Sequence, residues 1–165
     1  MSDHTNPGLT QQDADELAAT ILELWSSGGS LARIKGITAE ECEAMYAYGH
    51  SLYAQRKYND AFKIFALLVT YDHMNSRYQF ALASAMQMTG RYEEALQQYL
   101  VVTVMRLDDP VPVFHSAECL LALGRPEEAR ESLELMMADL CTPGRHDAIK
   151  ARAEALLGAI EPKTK

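Results

Sequence analysis

The chain has 165 residues, a formal net charge of −8 and hydrophobic residues at 48%. That length fits one domain, and that apolar content supports a packed core and excludes bulk disorder. The acidic balance excludes a nucleic-acid binder, which needs a basic face to displace counterions from phosphates.

Residues 1–10 hold Pro7, Gly8 and small polar residues and read as a flexible tail. The start, Met1 to Pro7, lacks the basic and apolar regions of a secretory signal. No apolar run reaches the roughly 18 residues of a membrane span. The expectation is a cytoplasmic protein without stable membrane association. From Gln11 to Ser26 the pattern is helical, with Leu17, Ile21, Leu24 and Trp25 on one apolar stripe. That stripe packs either on a second copy or on the chain's own first repeat. Gly28-Gly29-Ser30 ends the helix with left-handed geometry, and Leu31 to Ile37 forms a short apolar segment. Thr38-Ala39-Glu40-Glu41 is a capping box for the next helix. Residues 11–41 are thus an N-terminal helical segment.

A repeat begins at Cys42. Ala61, Ala95 and Ala129 stand 34 residues apart, each preceded by a similar hexapeptide context such as Gly90-Arg91-Tyr92-Glu93-Glu94-Ala95. This period is the mark of tetratricopeptide repeats, stacked helix–turn–helix units. Three run without insertion over 42–143, at 42–75, 76–109 and 110–143. Gly49, Ala83 and Ala117 share one position in helix A, where a small residue permits close helix approach. Phe65, Tyr99 and Leu133 share another in helix B. The repeats are imperfect. Arg56 stands where the others have Gly90 and Gly124, and the usual terminal proline is replaced by His73, Leu107 and Cys141. After Gly144, Ile149, Ala153, Leu156 and Ile160 line one face of a capping helix, followed by a polar tail to residue 165. The fold class is all-α: three tandem repeats, an N-terminal helical segment and a C-terminal cap.

Helix A lines the concave side of such a stack. Its inward positions are Tyr46, His50 and Tyr53, then Phe80, Ser84 and Gln87, then Phe114, Glu118 and Leu121. Aromatic anchors with little charge suit an extended segment bearing apolar or proline side chains. The same list, with Glu118 in it, excludes a clamp for an acidic chaperone tail. By register, Tyr58, Phe65, Tyr92 and Tyr99 have core or mixed roles. Cys42, Cys119 and Cys141 are too scattered for a disulfide or metal set and read as reduced, buried thiols. His115, Ser116, Glu118 and Cys119 offer nucleophile and base types, but neighbours on one helix diverge. No oxyanion loop or phosphate-binding glycine motif accompanies them. An enzyme is not expected, and neither metal nor cofactor is implied.

Three stretches in order resemble the class II, or translocator, chaperones of bacterial type III secretion systems. They are Gly28-Gly29-Ser30-Leu31, the segment from Phe65 to His73, and the segment from Pro110 to Leu121. The resemblance spans about Leu17 to Leu157. It implies a chaperone of the bacterial cytoplasm that binds two hydrophobic translocator proteins and keeps them soluble and apart until secretion. It also implies assistance to a transcriptional activator and a homodimer through Leu17, Ile21, Leu24 and Trp25. Its groove positions match Tyr46, His50, Tyr53, Tyr58, Phe80, Tyr99, Phe114 and Glu118, and the register adds Ser84. The alternative is a general tetratricopeptide scaffold or co-regulator that binds a short motif without changing its partner's solubility.

Overall fold

The computed structural model describes residues 30–160 together with Thr10, Gln12, Asp15, Glu16 and Ala19. The stripe of Leu17, Ile21, Leu24 and Trp25 lies outside the described residues. Over residues 30–160 the chain forms eight helices: α1 (Leu31–Ile34), α2 (Ala39–Ala54), α3 (Tyr58–Tyr71), α4 (Ser76–Met88), α5 (Tyr92–Met105), α6 (Pro110–Ala122), α7 (Pro126–Asp139) and α8 (Asp147–Ile160). From α2 to α8 each helix packs against the next in chain order, α8 also reaches α6, and α1 rests on α3. Among the described residues, no helix is long and apolar enough to cross a membrane.

Local chemistry explains the boundaries. The Thr38 hydroxyl accepts from the Glu41 amide at 3.1 Å, and the Glu41 carboxylate accepts from the Thr38 amide at 2.8 Å, a complete capping box on α2. Asn75 and Asp109 cap α4 and α6 in the same manner, each accepting from the amide two residues on. Pro110 and Pro126 open α6 and α7, where an absent amide proton costs nothing. The turns between paired helices need a left-handed residue. Gly90 and Gly124 supply it at φ 78° and 73°, and in the first pair Arg56 is forced to φ 60°.

The core follows the repeat. Ala61, Ala95 and Ala129 are fully buried, as are Ala83 and Ala117. Phe65, Tyr99 and Leu133 fill equivalent buried sites beside them, with Leu68, Val102 and Met136 one turn further along. Ring-filled and alkyl-filled versions of one position thus coexist in a single stack, because each pair of helices needs only matched volume. On α8, Ile149 and Ala153 are buried against the α6–α7 layer, with Leu156 and Ile160 packed beside them. Ser30 ties the start of the described chain to the stack by donating to the Tyr71 carbonyl at 2.9 Å.

Candidate peptide-binding groove

The helices α2, α4 and α6 carry the inward positions of the three repeats. In repeat one, Tyr46 and Tyr53 are half-buried and His50 is exposed. Tyr46 meets His50 edge-on at 4.5 Å and lies 5.4 Å from Tyr78. Phe65 supports both from below, 6.0 Å from Tyr46 and 5.5 Å from His50. Those rings withdraw water from His50, which lowers its pKa, and Arg77 lowers it further. Tyr53 packs edge-on against half-buried Tyr58 at 5.1 Å.

In repeats two and three the rings close up around His115. Phe80, Tyr99 and Phe114 have centroids 5.7, 5.5 and 5.6 Å from its ring, and Tyr99 is stacked parallel to it. A polar network runs through this cluster. The Tyr99 hydroxyl lies 3.2 Å from Ser84 Oγ and donates to Gln87 Oε1 at 2.8 Å. Gln87 Nε2 donates in turn to Glu118 Oε2 at 2.9 Å, and the same oxygen lies 2.8 Å from His115 Nδ1. Burial opposes the charge on Glu118, but the bonds from His115 and Gln87 prevail and hold its carboxyl below the usual carboxylate range. The Glu118 field helps raise the Tyr53 phenol, after burial and Tyr58.

The predicted wall needs two corrections. Tyr99 is fully buried on α5, so it lies behind the groove surface and supports it from the core; its register in helix B, between α4 and α6, dictates this. Phe114 is only 2% exposed: it belongs to the core shared by α6, α7 and α8, and Arg152 from α8 lies over its ring at 4.3 Å. The remaining positions, Tyr46, His50, Tyr53, Tyr58, Phe80, Ser84 and Glu118, all keep accessible surface. Sequence reasoning missed the arginines. Arg77, Arg106 and Arg152 lie over Tyr46, Phe80 and Phe114, the same helix-A position in three repeats, at 4.6, 5.6 and 4.3 Å. They come from unrelated points in the repeat, so only an aromatic at a fixed spacing hinted at them.

The suspected nucleophiles do not meet a base. Cys119 is fully buried and burial pushes its thiol up to about 12, while Ser116 donates to the Pro112 carbonyl at 3.0 Å.

A stack of helix pairs at a 34-residue period defines a tetratricopeptide-repeat protein, and that family matches residues 43–75 and 78–106. The low calcium response locus protein H of Yersinia pestis is 30% identical over 151 residues, covering 92% of this chain and 90% of that protein. Among solved structures, SycD of Yersinia enterocolitica in complex with a peptide of the translocator YopD is 32% identical. It covers 75% of this chain and 95% of its own, with a TM-score of 0.69. PcrH of Pseudomonas aeruginosa, in complex with the chaperone binding region of PopD, is 37% identical with a TM-score of 0.70. It covers 76% of this chain and 94% of its own. The chain belongs to the type III secretion translocator chaperones.

Proposed function

We propose that the inner wall of α2, α4 and α6 holds an extended segment of a translocator protein in the bacterial cytoplasm. The carrying observation is the set of half-buried rings, Tyr46, Tyr53 and Phe80, held in place by packing from below yet still accessible. Such rings bury large apolar area with little loss of side-chain freedom. Translocators carry membrane-inserting segments that aggregate in water. Holding part of such a chain extended removes sticky surface and delays its pairing with the second translocator. Ordering a disordered segment costs entropy, which keeps the affinity moderate and release feasible. The function is binding and not catalysis. The acidic surface keeps the complex soluble.

The test is co-expression with a cognate translocator, which should turn an insoluble protein into a soluble complex. Tyr46→Ala and Tyr53→Ala should each weaken a translocator peptide about tenfold or more, with unchanged circular dichroism. Unchanged affinity in both removes the groove assignment. The N-terminal stripe is proposed as the homodimer contact. Leu24→Glu should then yield monomers in sedimentation, and a persisting dimer moves the contact elsewhere. Assistance to a transcriptional activator is a further role, to be tested by co-purification with the activator.

A further inference from the structure

At the C-terminal corner of the inner wall, the repeat is joined by a side chain from outside it. Arg152, on α8, places its guanidinium 4.3 Å from the Phe114 ring centroid and 3.5 Å from Glu118 Oε1. The carboxylate is already oriented, because Gln87 and His115 engage its other oxygen. Oε1 is left turned toward a cation. The opposite end of the wall repeats this unit in a tighter form. There Arg77 lies over Tyr46 and grips both oxygens of Glu43, at 3.1 and 3.2 Å, fastening α4 to α2. Arg152 makes one longer contact, and its side chain is 56% exposed. It is a loosely seated cation in a site whose ring and anion are both fixed.

We propose that Glu118 and Phe114 form a cation subsite of the groove, filled by Arg152 in the empty protein and by an arginine of the bound segment in the complex. This deepens the groove reading and rests on it. Glu118 is the one carboxylate among the inward positions of the three repeats. A half-buried carboxylate left without its cation is costly, so whatever displaces Arg152 must bring a replacement charge. A guanidinium suits the place better than an ammonium, since its plane matches both the ring and the carboxylate. Exchanging one arginine for another is close to neutral in energy. The subsite therefore sets the register of the segment more than its affinity, until Arg152 is removed.

The experiment titrates pairs of synthetic proline- and leucine-containing peptides by calorimetry, identical except for Arg or Gln at one position, with that position scanned along the peptide. Wild type should favour the Arg form at one position by about twofold. Arg152→Gln should widen that preference to about five- to tenfold by tightening the Arg form alone. Glu118→Gln should erase it. Equal tightening of both forms in Arg152→Gln would mean that Arg152 merely obstructs the groove, and would overturn the subsite, as would no change at all. Arg152 is exposed, so this variant carries the test even if Glu118→Gln folds poorly. Binding of the Gln form that is lost in Tyr53→Ala, with no Arg preference at any position, overturns the subsite and leaves the groove standing. No binding of either form to wild type overturns both.

Discussion

Repeat one and repeat three build the same wall by different means. Repeat one offers Tyr46, His50 and Tyr53, with ring surface open to solvent. Repeat three offers Phe114 beneath Arg152, the hydrogen-bonded Glu118, and Leu121. The layer behind differs too. A Cβ on Gly49 would lie 2.5 Å from Phe65 Cε1, so the glycine is what admits that ring beneath Tyr46 and His50. At Ala117 the Cβ is present, and the partner site holds the smaller Leu133. One backbone thus carries one end where rings dominate the accessible side chains and the Arg77–Glu43 pair is closed on itself, and another where Glu118 is tied into a side-chain network and meets Arg152 loosely. An extended ligand with distinguishable ends would fit it in one direction only.

The contrast is open to direct attack. The largest effect should come from Phe65→Ala, which removes a fully packed ring and should cost about 3–5 kcal/mol in urea unfolding. A cost below that of Leu133→Ala would deny the ring its central place in repeat one. Next comes Gly49→Ala, expected to cost about 1–3 kcal/mol through overpacking against Phe65. Adding Phe65→Leu to it should restore much of the loss, since the smaller side chain vacates the space the Cβ needs. If Gly49→Ala is neutral, the two repeats do not differ in the way the packing indicates. Arg56→Gly should act in the opposite direction, adding roughly 0.5–1 kcal/mol by relieving a left-handed non-glycine residue in the exposed first turn. A melting temperature that falls would show that the arginine side chain, and not its backbone, governs that turn.

The smallest effect is expected in acid. The folded Glu118 carboxyl is held low, so its contribution to stability is complete above its unfolded value, about 4.3, and is lost as pH falls through the lower folded value. Unfolding curves at neutral pH and near pH 3 should show wild type losing more stability than Glu118→Gln. Equal losses would place the acid sensitivity at other carboxylates.

The repeat was legible because its signal is redundant. Ala61, Ala95 and Ala129 are each fully buried in the stack, and three copies make the spacing visible. Helix register also groups Tyr46, Phe80 and Phe114, but only the first two keep accessible surface, whereas Phe114 at the same position is buried. What the register cannot carry is a contact made by a single residue from outside the period. Arg152 on α8 lies over Phe114 and reaches Glu118, and nothing in the helix pairs announces it. Tyr99 illustrates the converse. The resemblance placed it in the groove, whereas its helix-B register placed it in the core, and the backbone periodicity proved the better guide.

The hydrogen-bond relay from Tyr99 through Gln87 to Glu118 joins a fully buried phenol to the accessible wall. Selectivity and foldedness are therefore hard to evolve separately at that end. A substitution that retunes what the wall accepts there also disturbs the spine of the stack. Lineages that change cargo should drift first among the open rings of repeat one, where ring packing and not a side-chain hydrogen-bond relay joins the wall to the core.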